Sequence, residues 1–311
     1  MDSALLSVGL PIALVVVMFG LGLTLTVGDF ARIAREPRAV LGALGAQMLL
    51  LPVVCFALVK LFDLDPILAV GMMLLAASPG GTTANLFSHL FKGDVALNIT
   101  LTAVNSVLSA ITLPIVLTLA IAHFDPALGA DSLGLQFDKV LQVFAIVLIP
   151  VALGMLLRRR SQRFATRADR PVRILSAVVL AAVIAAALLA ERENVGEYFA
   201  DVGLVAALFC VCSLAVGYAL PRLLRVGHSQ AVASAFEVGV HNSTVAITVA
   251  VSVLGSEELA IPAAVYAIVM FPLAALAGQL LARWGPEVTP AAARAPRSDS
   301  PPPSTLGTDP K

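Results

Sequence analysis

Ala233-Ser234-Ala235-Phe236-Glu237-Val238-Gly239-Val240-His241-Asn242-Ser243-Thr244 is the stretch whose reading decides the fold. It places a carboxylate, a histidine and an amide inside an apolar run, around a glycine that weakens a helix. No Lys or Arg lies within ten residues of Glu237 on either side. An ionised carboxylate at bilayer depth costs several kcal/mol unless something compensates it. Its partner therefore comes from elsewhere in the fold, or is not part of the protein.

The surroundings show that the depth is that of a membrane. The chain has 311 residues, 59% hydrophobic and 13% charged; a soluble domain carries about 25% charged residues. A mean hydropathy of +0.94 and repeated apolar runs predict an all-α polytopic membrane protein. Nine spans are expected, at 4–27, 38–61, 67–90, 95–122, 139–157, 173–190, 201–221, 229–254 and 259–283. The N-terminus lacks a basic region, so the first run is read as a retained helix. Residues 286–311, rich in Pro, Ala, Ser and Thr, are read as a disordered cytoplasmic tail. Cys55, Cys210 and Cys212 lie inside apolar runs and read as small core residues.

Charge asymmetry predicts the orientation. With the N-terminus outside and the C-terminus in the cytoplasm, 17 Lys and Arg fall on the cytoplasmic side and 3 outside, as the positive-inside rule requires. That rule accounts for the arginines from Arg158 to Arg173 without nucleic-acid binding.

A second interrupted run, Ser78-Pro79-Gly80-Gly81-Thr82-Thr83-Ala84-Asn85, sits in the third span as the first stretch sits in the eighth. The spans that follow carry matching steps, Leu113-Pro114 and Phe271-Pro272. The two broken spans are five apart, so they run in opposite senses. Spans 1–4 and 6–9 are thus expected to form inverted repeats. Paired interruptions of this kind point to a transporter's binding site. In the fourth span, Asn98, Thr102, Asn105, Ser109 and Thr112 recur at helical spacing and line one face, aimed into the bundle instead of at lipid. Gln47 is a lone amide in the second span. His241 follows Glu237 by four residues and shares its face if the helix is regular there; its imidazole permits proton chemistry.

No pair of intramembrane Asp, no His-Glu-x-x-His and no Ser/His dyad is found, so an intramembrane enzyme is not expected. A membrane sensor would need a larger cytoplasmic domain than the tail offers.

These motifs resemble the bile acid:sodium symporter family over about residues 10–284. The likeness begins at Met18-Phe19-Gly20-Leu21-Gly22-Leu23-Thr24-Leu25. It is sharpest at Ser78-Pro79-Gly80-Gly81-Thr82, Lys92-Gly93-Asp94-Val95-Ala96-Leu97, Glu237-Val238-Gly239 and Asn242-Ser243. The resemblance implies a transmembrane domain over 1–285 in which the two broken helices cross. Its core domain takes residues 38–122 and 201–283; its panel domain takes helices 4–27, 139–157 and 173–190. It implies a first sodium site at Asn85, Thr102 and Glu237, with Ala84 and Asn98 where the family has serines. A second site would use Gln47, Glu237 and the carbonyls of Val238 and Val240, with His241 in place of a glutamine. Thr82, Asn105 and Asn242 are candidate substrate contacts. No cofactor is implied beyond Na⁺ as coupling ion. The expected activity is sodium-coupled import of an organic anion, a sterol conjugate or small carboxylate, across the inner or plasma membrane. Proton coupling through Glu237 and His241 is the alternative.

Overall fold

The computed structural model describes residues 35–81, 83–125, 152–168 and 195–284, with shorter stretches within 15–23, 149–150 and 171–178. Among the described residues every element is helical, and the one β-type pairing is an isolated bridge between Gly80 and His241. The first, fifth and sixth expected spans fall largely outside the described residues, as does the tail 286–311.

The second span is α1 (Pro37–Gly45), a π-helical segment (Ala46–Leu50) and α2 (Leu51–Leu61). Pro52 explains the widened turn. It cannot donate to the carbonyl four residues back and its ring crowds that carbonyl, and Leu51 N–H instead reaches Ala46 O, five residues back. The third span is α3 (Pro66–Ala77) and α4 (Ala84–Leu90), separated by the expected interruption. Asp65 starts α3 by accepting from Ile67 N–H at 2.9 Å, with Pro66 at the first helical position. Every residue of α3 from Leu68 to Ala77 is buried, the mark of a helix apolar all round.

The fourth span is α5 (Val95–Phe124), capped by Asp94, which accepts from Leu97 N–H at 2.9 Å. It runs unbroken through Pro114. The seventh span is α6 (Val195–Leu223), and it begins six residues before the expected 201. Glu197 in its first turn favours that early start through the helix dipole. The eighth span is α7 (His228–Gly239) and α8 (Ser243–Thr248), which passes into a π segment (Val249–Val253). The ninth is a 3-10 turn (Glu258–Ala260) and α9 (Ile261–Trp284), continuous through Pro272.

Among the described residues four runs are long and apolar enough to cross a membrane: Pro37–Leu61, Val95–Phe124, Gly196–Leu223 and Glu258–Trp284. Their outward residues, among them Leu49, Val53, Leu119, Leu204 and Leu276, are the apolar surface that lipid requires. α7 lies centrally between α6, α5 and α4. Its contact with α6 is close because Gly217 meets Val238 where a Cβ would come within 2.7 Å of the valine Cβ; small residues allow such approach without a hydrophobic driving force.

The basic segment expected as a loop from Arg158 is helical over 152–160 and again over 162–168. Ser161 divides the two and accepts from Phe164 N–H at 3.4 Å.

Candidate functional site

The two interruptions lie against each other. Gly81 N–H donates to Val240 O at 2.6 Å, and Asn242 N–H donates to Pro79 O at 2.8 Å. Breaking a helix at membrane depth frees main-chain groups that must find partners, and here each break satisfies part of the other. The eighth-span break is shorter than the sequence suggests. It covers Val240 to Asn242, so Glu237 sits in the last turn of α7.

Glu237 is 2% exposed. The Thr102 hydroxyl donates to its Oε2 at 2.5 Å, and Asn105 Nδ2 donates to its Oε1 at 3.3 Å. Among the described residues no Lys or Arg forms an ion pair with it. Two neutral donors do not compensate a full charge. Gly80 forms the opposite wall: a Cβ there would overlap Glu237 Oε1 and Cδ and come within 2.6 Å of its carbonyl oxygen.

The stripe on α5 is buried from Asn98 to Ser109, and Thr112 is half-buried. Its members do different work. Asn98 spends both amide protons, one on Ser88 Oγ at 2.7 Å and one on Ala233 O at 2.8 Å. It therefore ties α4, α5 and α7 together, and only its oxygen is left to face Glu237's side, 3.5 Å from the Thr102 hydroxyl. Ser109 donates to Ser106 O on its own helix. Asn105 keeps a buried Oδ1 with no hydrogen-bond partner among the described residues. Asn98→Ala is expected to destabilise the fold by about 1–3 kcal/mol, because Ser88 and Ala233 O lose their buried donor; a thermal melt of the purified protein measures this.

A second polar group lies on the far side of the break. Gln47, in the π segment before α2, donates from Nε2 to Ser78 O at 2.9 Å and lies 3.4 Å from His241 Nδ1. His241 Nδ1 is itself 3.4 Å from Ser78 O. The imidazole stacks on Phe209 (centroids 5.3 Å apart) and meets Tyr266 edge-on at 5.4 Å. The Tyr266 hydroxyl donates to Gly239 O at 2.7 Å, which satisfies a carbonyl freed at the end of α7. Among the described residues, Gln47 Oε1 and His241 Nε2 are buried without partners.

The hydrogen bonds of Glu237 and His241 thus run to different residues. The regular helix that would put them on one face ends at Gly239. Ala84 is buried at the start of α4, with Asn85 half-buried beside it. Asn242 spends its side-chain oxygen capping α8 through Val245 N–H at 3.3 Å. Thr82 lies outside the described residues. Sequence reasoning missed Gly80 as the carboxylate's wall, and Ser88, Phe209 and Tyr266 as supports. Gly80 was legible as a helix breaker only; Tyr266 carried no signal beyond an aromatic in an apolar span.

Residues 11–198 match the Sodium Bile acid symporter family. The chain belongs to the sodium/bile acid symporter family. Members of this family are transporters, so the chain is a membrane transporter and not an enzyme. The chain is 28% identical over 253 residues to the "Uncharacterized sodium-dependent transporter YocS" of Bacillus subtilis (strain 168), covering 81% of this chain and 76% of that one. It is 29% identical over 288 residues to the "Probable sodium/metabolite cotransporter BASS2, chloroplastic" of Oryza sativa subsp. japonica, covering 91% and 64%. It is 24% identical over 259 residues to the "Ileal sodium/bile acid cotransporter" of Homo sapiens, covering 83% and 73%. Within this symporter-family chain, the first interruption and the α5 stripe fall inside the matched residues, and Glu237 lies beyond them.

Proposed function

We propose that the protein is a sodium-coupled symporter that imports an organic anion by alternating access, with Glu237 as the residue that binds the coupling cation. The supporting observation is the buried carboxylate at the helix crossing, held by Thr102 and Asn105 and paired with no cation of the described protein. Oxygen donors of this kind suit a small hard cation.

A first Na⁺ is held by Glu237, Thr102 and Asn85, with Ala84 contributing main chain only. Asn98 contributes its oxygen at most, because its nitrogen is committed to Ser88 and Ala233. A second Na⁺ would draw on Gln47, Glu237, the carbonyls of Val238 and Val240, and His241. Val240 O already accepts from Gly81 and Gln47 Nε2 already donates to Ser78 O, so among the described residues this site offers Gln47 Oε1 and His241 Nε2 as its unpartnered atoms. The anion binds beside the crossing near Thr82, Asn105 and Asn242, and a small carboxylate or a sterol conjugate is the substrate class. The membrane is the inner or plasma membrane, with the N-terminus outside and the C-terminus in the cytoplasm. Core helices rock against the panel helices around the crossing.

Stoichiometry sets the driving force. Each positive charge moved inward through 100 mV releases about 2.3 kcal/mol. Two Na⁺ with a monoanion move one net charge; one Na⁺ with a monoanion moves none.

Sodium-dependent thermal stabilisation of the purified protein, against matched KCl, tests the reading before a substrate is known. NaCl raises the melting temperature and KCl does not; equal effects of the two salts overturn the sodium assignment. Thr102→Ala is expected to raise the half-saturating sodium concentration by roughly tenfold, the equivalent of one lost ligand contact of about 1.4 kcal/mol. An unchanged sodium titration removes Thr102 from the site. Uptake that is independent of sodium and rises as pH falls from 8 to 5 would assign the coupling to protons instead.

A further inference from the structure

We propose that the arginine-rich helical turn at 158–168 binds anionic phospholipid headgroups and anchors the helix it terminates to the membrane surface. Residues 158–168 hold Arg158, Arg159, Arg160, Arg163 and Arg167 and no Asp or Glu. Arg158 is committed to the protein: its Nη1 donates to Leu23 O at 2.6 Å. The other four arginines are exposed, and among the described residues none of them has an acidic partner. Arg163 and Arg167 lie four residues apart on one helical segment, where like charges repel; an anion bound between them relieves that repulsion.

The geometry puts that anion in a membrane interface. Helix 152–160 presents Leu153 and Leu156 outward, about half exposed each, and turns basic at Arg158. The apolar stretch thus ends where the charge begins, as at a boundary between acyl chains and headgroups. Beyond Ser161 the chain turns one further helical segment, 162–168. That segment is docked on the protein through the fully buried Ala165, yet leaves Phe164 51% exposed between Arg163 and Arg167. An exposed aromatic flanked by arginines on a short helix suits the headgroup–acyl boundary, with the ring in the apolar layer and the guanidinium groups on phosphates.

Orientation does not require the cluster. Setting aside all seven arginines from Arg158 to Arg173, ten basic residues remain on the expected cytoplasmic side against three outside. The segment is also rigidly joined to its neighbour. A Cβ on Gly154 would overlap Phe19 O and come within 2.8 Å of Gly22 Cα, so the helix sits directly on Phe19 and Gly22, and Arg158 donates to the carbonyl of the next residue, Leu23. Lipid held at the arginines therefore fixes this helix pair relative to the bilayer. The inference needs only that helix 152–160 ends at a membrane surface; it does not depend on the transported ion or substrate.

The test uses the full chain in nanodiscs of equal phosphatidylglycerol and phosphatidylcholine, with mild extraction and mass-spectrometric counting of the lipid that stays bound. The wild type is expected to retain phosphatidylglycerol over phosphatidylcholine by roughly fivefold or more at low salt, since one arginine near an anionic surface contributes about that factor. The preference falls toward unity at high salt. The variant R159Q/R160Q/R163Q/R167Q loses it, and the same four sites changed to lysine keep most of it. Added inorganic phosphate does not displace the lipid. A wild-type preference near unity, or one that survives in the glutamine variant, overturns the proposal. So does displacement by phosphate, which would mean a small-anion site. Where the fourfold variant fails to fold, R159Q/R160Q and R163Q/R167Q are measured separately, and each is expected to lose part of the preference.

Discussion

Glu237→Gln abolishes sodium-dependent uptake and the sodium-dependent rise in melting temperature, while the protein without sodium becomes more stable. The sign of the last effect follows from burial. Glu237 is buried, with two neutral donors and no pairing cation among the described residues. Carrying that charge without a counterion costs several kcal/mol at membrane depth. Glutamine keeps the shape: its carbonyl oxygen accepts from the Thr102 hydroxyl, and its amide nitrogen donates to Asn105 once that amide turns its oxygen inward. In sodium-free buffer the variant is expected to gain about 1–3 kcal/mol, because a neutral amide avoids the burial cost of an unpaired carboxylate. In saturating sodium the advantage disappears, because only the wild type gains from the bound ion; binding to the folded state alone stabilises by about 2.7 kcal/mol at one hundred times the dissociation constant. Paired melts in NaCl and KCl measure both effects. A variant with an unchanged sodium response places the cation elsewhere. A variant less stable than the wild type in KCl means that the carboxylate is a structural acceptor and not an uncompensated charge.

Gly80→Ala has the second large effect, and it acts through the same carboxylate. The added methyl overlaps Glu237 Oε1 and Cδ and crowds its carbonyl oxygen. Room can be made by pushing the carboxylate away from Thr102 and Asn105 or by opening the bridge between the two breaks. Either route costs about 1–3 kcal/mol of stability, as overpacking does in a dense core, and either misplaces the oxygen donors. The strain is steric: Gly255 is the one described glycine with a positive φ. The neighbouring Gly81→Ala is the control. Its Cβ would lie 3.2 Å from Val240 O and 3.3 Å from His241 O, which a shift of a few tenths of an ångström relieves. Gly80→Ala is therefore expected to lose sodium stabilisation, and Gly81→Ala to keep most of it. Equal behaviour of the two variants would mean that the crossing as a whole, and not the wall against Glu237, governs the site.

The membrane class, the two interruptions and the isolation of Glu237 were legible in local sequence. Apolar length, proline and glycine placement and one isolated charge each act within a few residues. The buried stripe on α5 was legible for the same reason, since period alone puts Asn98, Thr102, Asn105 and Ser109 on one face. What each member touches was not. Asn98 reads as a ligand by its chemistry, and its nitrogen is a clamp because Ser88 and Ala233 arrive from α4 and α7. His241 reads as a neighbour of Glu237 by spacing. Its ring instead lies against Gln47, Ser78, Phe209 and Tyr266, because α7 ends two residues earlier.

By itself, then, the sequence determined that this chain lives in a bilayer, that two helices break there, and that a carboxylate stands at one break without a nearby basic residue. Only the tertiary structure decided that the breaks pair with each other, that Gly80 closes on the carboxylate, and that Thr102 and Asn105 are its donors. The reason is range. Periodicity and helix breaking follow from covalent geometry over one or two turns, whereas Thr102 and Glu237 are 135 residues apart and meet only once α5 and α7 have packed.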